Sequence, residues 1–213
     1  MNTSGFDIVV IGSGVIGHSI AFRLKQDAPQ LKIAVLGDPV NSLQASRAAA
    51  GMLSPFCECD RADRFFDFCR ESLNKFPEFL KELVSISEAS VHFSFEGSLM
   101  PSSSYQETWE ERKAFFVSEG VPHEIWSAEK VRQKAPYLSE DCGEVMWVGE
   151  GQVNNRQMHD ALMRASKNLG IRVLEANVSG FIRKGSAIAS AVTDSGNIDG
   201  EQFVLASGSW SSQ

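Results

Sequence analysis

An α/β fold is predicted for the 213-residue chain by three stretches of its sequence. Phe6-Asp-Ile-Val-Val-Ile11 is a short β-branched run that reads as a buried parallel strand. Gly12-Ser-Gly-Val-Ile-Gly17 follows it and opens an apolar-periodic helix from about Val15 to Gln26, and Lys32-Ile-Ala-Val-Leu36 then reads as a second strand. The last forty residues are β-rich, with runs at 171–174, 178–184, 187–194 and 202–206 separated by Gly185-Ser186 and Ser195-Gly-Asn197 turns. Strand, glycine turn, helix and strand in succession form a βαβ unit with parallel strands. The prediction is a Rossmann-like FAD/NAD(P)-binding domain built from 1–88 and 149–213, with 89–148 inserted as part of an α+β substrate domain.

The middle is read element by element. Ala45-Ser-Arg-Ala-Ala-Ala-Gly-Met-Leu-Ser-Pro55 has neither helical nor strand periodicity. Residues 61–86 keep a 3/4 apolar spacing through Phe65, Phe68, Leu73, Phe76, Leu80 and Leu83, with Pro77 expected to kink the helix or start a second one. Val91, Phe93 and Phe95 alternate with polar residues as in a half-buried strand, and Gly97 marks a turn into another. Ser102–Ser104 is expected to cap a helix from Tyr105 to Ser118. Short strands are expected at 124–126 and 143–148, with a helical turn capped by Ser127 between them. Asn154 or Asn155 caps a helix to Asn168, with Met158, Ala161, Leu162 and Ala165 inward and Gly170 ending it.

Composition narrows the function. The 20 basic and 27 acidic residues give a formal charge of −7, the opposite of the basic field that nucleic-acid binders carry. No apolar run approaches the ~18 residues of a membrane span, and the stretch 1–5 lacks the basic region of a signal peptide. Cys57-x-Cys59 is not a redox or zinc C-x-x-C pair, so the four cysteines read as reduced thiols of a cytoplasmic protein.

Gly12-x-Gly14-x-x-Gly17 lies between a strand and a helix, which is where a dinucleotide fingerprint must lie. Gly12 permits the tight turn, Gly14 lets backbone approach a pyrophosphate, and Gly17 lets the helix pack against the strand. The first helical amides then hold the anion. The alternative is a glycine-rich turn with no ligand. An acid is expected at the end of the second strand for a ribose hydroxyl. Asp38 stands one place late for this, after Gly37. These features do not separate FAD from NAD(P).

Three segments together resemble the FAD-dependent D-amino-acid-oxidase superfamily: 7–17, Ala45-Ser-Arg-Ala-Ala-Ala-Gly-Met-Leu53, and Val204-Leu-Ala-Ser-Gly-Ser-Trp-Ser211. With Cys57-Glu-Cys-Asp60, Arg64-Phe-Phe-Asp-Phe68 and Gly149-Glu-Gly-Gln-Val-Asn154, the chain is most similar to glycine oxidases of the thiamine-pathway type. The resemblance implies FAD as cofactor, with Gly12, Ser13, Gly14, Val15, Ile16 and Gly17 lining its pyrophosphate. The usual ribose-binding acid would stand at Gly37, and Asp38 substitutes for it. Ser46 and Arg47 would lie on the adenine–pyrophosphate side. Ala49, Ala50, Gly51 and Met52 would run along the isoalloxazine, where short side chains suit a flat ring, and Met52 would face the substrate. Val178 would bracket the adenine through its backbone, and Ala206, Ser207, Gly208 and Trp210 would close the site.

The implied activity is oxidation of a primary or secondary amine of a small amino acid by hydride transfer to flavin, with oxygen as acceptor. Two enzymatic rivals are an NAD(P)-dependent dehydrogenase and a flavoprotein that oxidatively modifies a partner protein; a third reading is a non-enzymatic nucleotide-binding module. In the family, a second half follows the Ser-Gly-x-Trp-Ser signature. The resemblance therefore implies a truncated product, inactive alone, or a partner for a second chain or a homo-oligomer. His18 reads as helix packing, His92, His123 and His159 form no triad spacing, and the acids at 58, 60, 63 and 67 read as a solvated helix start.

Overall fold

The structure is a computed structural model and describes residues 5–38 and 45–212. In chain order its elements are β1 (Phe6–Ile11), α1 (Val15–Asp27), β2 (Ile33–Leu36), α2 (Ala45–Ala48), β3 (Met52–Leu53), α3 (Pro55–Glu58), α4 (Arg64–Ser87), β4 (Phe93–Ser94) and β5 (Ser98–Pro101). They continue as α5 (Trp109–Ser118), β6 (His123–Trp126), α6 (Ala128–Lys134), β7 (Val145–Val148), β8 (Gly151–Val153), α7 (Asn155–Asn168), β9 (Arg172–Leu174), β10 (Val178–Lys184), β11 (Ala187–Thr193) and β12 (Gly196–Leu205). The chain divides into two compact units: Met1–Ala50, Leu80–Val91 and Asn154–Gln213, and Gly51–Phe79 with His92–Val153.

The first unit is a six-stranded sheet in the order β10-β11-β12-β1-β2-β9. β1 pairs in parallel with β2 on one side and with β12 on the other, so a strand near the start and a strand near the finish of the chain are neighbours. The continuous apolar runs of β1 and β2 follow from burial on both faces. Ile8, Val10, Ile33 and Val35 pack on one face with Ala21 of α1, while Val9, Ile11, Ala34 and Leu36 point to the other with Ala191 and Ile198. This is the period-2 alternation of a strand with no wet side. α1 packs beside α7, with Phe22 of α1 and Ala161, Leu162 and Ala165 of α7 fully buried. Burying an aromatic side chain such as Phe22 contributes roughly 2–3 kcal/mol.

β12 changes partner along its length. Gly196–Asp199 pair antiparallel with β11, and Gly200–Leu205 pair parallel with β1. The switch falls at Gly200, where a Cβ would approach Val9 Cγ2 at 2.7 Å. A strand expected at 202–206 thus begins six residues earlier, because the hairpin turn after β11 feeds straight into the parallel pairing.

The second unit has two antiparallel three-stranded sheets, β3-β8-β4 and β5-β7-β6. Its core gathers Phe56, Phe66, Leu73, Met100, Trp109, Phe116, Met146 and Val148. Several expectations change here. The segment read as structureless holds α2, β3 and α3, each too short to impose a period. β4 and β5 lie in different sheets, with Gly97 (φ 94°) between them as the expected turn. Ser102–Ser104 is a 3-10 turn, and α5 starts at Trp109 rather than Tyr105. α4 starts at Arg64 rather than 61, because the Asp63 carboxylate accepts the Phe65 and Phe66 N–H groups at 2.9 and 3.0 Å and caps it there. α4 is assigned as one helix through Pro77. Asn154 accepts from Gln157 N as the cap of α7, and Gly170 follows with φ 74°.

Candidate functional site

The glycine turn joins β1 to α1 at the carboxyl ends of three parallel strands, the position where open α/β sheets bind ligands. Gly12 N–H donates to the Leu36 carbonyl at 2.8 Å, and Ala206 N–H donates to the Ile11 carbonyl at 2.7 Å. Gly12 has φ 121°, and a Cβ there would run into the Ala206 carbonyl. A Cβ on Gly17 would run into the Gly12 carbonyl. These two glycines are required by close backbone approach. At Gly14 a Cβ would stand 3.0 Å from Ser46 Oγ.

Gly14 is the N-cap of α1 and has no side-chain cap, and the first turn contains no acid. The positive end of a 13-residue helix is therefore met by no carboxylate of its own turn. Ser46 Oγ accepts the Val15 N–H at 2.9 Å, so one amide of that turn is satisfied from α2. Ile16 is exposed beside it.

Beneath the turn lies a polar cluster that sequence spacing did not reveal. His18 of α1 and His159 of α7 are both fully buried, with rings 5.7 Å apart in a T-shaped arrangement. His159 Nε2 stands 2.8 Å from the Ser13 carbonyl and Nδ1 stands 3.5 Å from Arg47 Nη1. Arg47 is paired with Asp160 at 2.8 Å. His18 Nδ1 lies 3.0 Å from Ser166 Oγ, and its Nε2 has no hydrogen-bond partner among the described residues. Burial, reinforced by the neighbouring His159, pushes the His18 pKa down from 6.5 to about 4. One signal was available: His159 and Ser166 are polar residues seven apart, two turns along one side of α7, bordering its inward stripe.

The other expected residues fall as follows. Gly37 ends β2 with φ 144°, its N–H donating to the Leu174 carbonyl at 3.1 Å, and a Cβ would meet Ser13 Oγ at 2.8 Å. The place of the usual acid is thus closed to a side chain in this chain, and Asp38 after it is exposed. Val178 packs on the face formed by Val9, Ile11, Ala34 and Leu36. Ala206 and Ser207 leave β12 against the glycine turn, and Gly208 (φ 58°) and Trp210 form a 3-10 turn. The turn, Gly37, Ser46, Ala206 and Ser207 are thus drawn together within the first unit. Ala49 and Ala50 are exposed at the end of that unit's first segment. In the second unit, Gly51 has φ 80° and Met52, 62% exposed, pairs with Gln152 of β8.

The second unit holds another buried polar side chain that sequence reading missed. Glu150 is fully buried, and its Oε1 accepts the Phe56 and Cys57 N–H groups at 2.6 and 2.8 Å. Burial, followed by the adjoining Glu150, pushes the Cys57 thiol well above its usual range and so favours the protonated thiol. Asp63 and Asp67 are engaged with Arg61 and Arg70, as a solvated helix start requires.

A sheet with parallel strands β12, β1, β2 and β9, helices α1 and α7, and a glycine turn at its carboxyl edge is a Rossmann-like α/β domain. The family model for FAD dependent oxidoreductases matches residues 7–213, and the chain belongs to that family. It is 29% identical over 216 residues to a bifunctional protein ThiO/ThiG of Synechocystis, a match covering 97% of this chain and 30% of that one. It is 27% identical to a glycine oxidase of Bacillus subtilis, covering 97% and 55%. The crystal structure of glycine oxidase from Geobacillus kaustophilus superposes with a TM-score of 0.88 at 24% identity, over 97% of this chain and 56% of that one, a likeness of fold. The chain therefore spans about a third to a little over half the length of these relatives.

Proposed function

We propose that the chain binds FAD and that its whole protein oxidises a primary or secondary amine of a small amino acid. The observation that carries the reading is a glycine turn at the carboxyl edge of β1, β2 and β12, closed to side chains at Gly12 and Gly17 and headed by a helix end with no acid in its first turn. Such a turn fits a diphosphate, whose charge the first helical amides offset. The relatives named glycine oxidase supply the substrate class.

In this reading Gly12, Ser13, Gly14, Val15, Ile16 and Gly17 hold the diphosphate. Asp38 takes the ribose hydroxyl in place of the acid that Gly37 excludes. Ser46 and Arg47 serve the adenine–diphosphate side, with Arg47 acting from its pairing on α7. Val178 brackets the adenine, and Ala206, Ser207, Gly208 and Trp210 close the pocket. Ala49, Ala50, Gly51 and Met52 are assigned to the ring, with Met52 toward the substrate. When bound, the flavin would supply a two-electron acceptor for the hydride equivalent of an amine's α-hydrogen, with the N–H proton passing to solvent and oxygen as the terminal acceptor. The chain's own residues bind, orient and exclude water, and none of them is needed as a base. The functional division 1–88 with 149–213 against 89–148, a cytoplasmic location, and a second chain or homo-oligomer belong to the same proposal.

The visible spectrum of the full-length protein, recorded before and after anaerobic addition of glycine or sarcosine, tests the reading. A flavin spectrum that bleaches supports it. A colourless protein, or a flavin that stays oxidised with every small amine, overturns it.

A further inference from the structure

We infer that His159 is a positioning residue for the diphosphate cradle: it holds the Ser13–Gly14 peptide so that the Gly14 N–H faces a bound diphosphate. The inference rests on the dinucleotide reading above and assigns a role to a residue 146 positions from the carbonyl it holds.

The proton positions follow from the partners. The Ser13 carbonyl only accepts, so His159 Nε2, 2.8 Å away, carries a proton and donates it. The Arg47 guanidinium only donates, so Nδ1, 3.5 Å away, is the acceptor. Asp160 fixes Arg47 in turn at 2.8 Å. The ring orientation is set from both sides.

The consequence lies in the peptide plane. Among the described residues no peptide bond is cis. In a trans peptide, C=O and N–H point in opposite directions. With the Ser13 carbonyl drawn to His159, the Gly14 N–H points away from α7. Gly14 has no Cβ to resist a flip of this plane. A flipped plane would present a carbonyl oxygen to the anion instead of an N–H. Ser13 is buried, so its carbonyl needs a partner inside the protein, and His159 supplies it.

The experiment titrates the full chain, freed of any flavin, with ADP, adenosine and FAD by calorimetry. His159→Leu is expected to weaken ADP by about tenfold or more, the loss of one hydrogen bond to a charged group. Adenosine, which lacks the diphosphate, is expected to change less than about twofold, and His159→Gln, which restores a donor near Nε2, to bind ADP within about threefold of the unaltered chain. Equal ADP affinity in His159→Leu, or a parallel loss of adenosine, overturns the inference. If His159→Leu does not fold, His159→Asn replaces it, since its shorter amide cannot reach the Ser13 carbonyl: ADP weakened about threefold or more with adenosine unchanged supports the role, and unchanged ADP overturns it. A chain that shows this ADP pattern yet binds no FAD sinks the flavin reading and leaves the positioning role standing. A chain that binds neither nucleotide sinks both.

Discussion

Acid should loosen the first unit through His18. The imidazole is fully buried, its Nε2 has no hydrogen-bond partner among the described residues, and His159 lies beside it. Its pKa falls from 6.5 to about 4 on folding. The sign follows from proton uptake. Between these two values the unfolded chain binds a proton at this residue and the folded chain does not, so stability is full above about pH 6.5 and declines as pH falls toward 4. Each pH unit inside the window costs about 1.4 kcal/mol, and the whole window about 3 kcal/mol. Urea unfolding of the unaltered chain and of His18→Leu at about pH 6.5 and 5 isolates this contribution, because carboxylate titrations are common to both. The unaltered chain should lose about 2 kcal/mol more than the variant over that interval. Equal losses would show that His18 does not carry the acid sensitivity, and the account of its burial would be wrong.

Two further substitutions probe the backbone. Gly12→Ala forces a Cβ toward the Ala206 carbonyl at φ 121° and should cost more than about 3 kcal/mol, read as a lowered melting temperature and a failure to hold flavin; a fully stable Gly12→Ala would remove the close-approach argument. Glu150→Gln keeps an acceptor for the Phe56 and Cys57 amides and should cost about 1 kcal/mol, whereas Glu150→Ala orphans both and opens a cavity, about 3–4 kcal/mol. Hydrogen exchange at Phe56 and Cys57 reports it directly, and equal protection in the two variants would refute the anchoring role.

What the sequence disclosed follows the range of the forces involved. β1, α1 and β2 were legible because their apolar period is local: Val9 and Val10 are neighbours that bury on opposite faces, and any window over them shows it. α7 was legible because Asn154 caps it and Met158 to Ala165 mark its inner face. The Gly12–Gly17 turn was legible because its glycine spacing between a strand and a helix is a local pattern, although of its collisions only that of Gly17 with the Gly12 carbonyl arises within the turn itself. α2, β3 and α3 were not, since two to four residues hold no period, and their geometry is imposed by partners such as Gln152 and Glu150. The start of α5 was misjudged because three serines offer a cap to either a helix or a 3-10 turn.

The histidines show the remaining gap most sharply. His159 and Ser13 are 146 residues apart, and His18 and Ser166 are 148 apart. Each looks unremarkable in its own helix, one as a packing residue and the other as a polar residue near an inward stripe. Only the packing of α1 against α7 converts them into one cluster under the glycine turn. A buried imidazole is costly where a nitrogen goes unmatched, as at His18 Nε2, and the carbonyl of a tight turn has to find a donor. When two helices meet below such a turn, the same hydrogen bond answers both demands. A polar residue bordering the inner stripe of the helix that packs on the fingerprint helix is therefore a candidate partner for the turn, and this class of signal can be sought in sequence once the helix pairing is known.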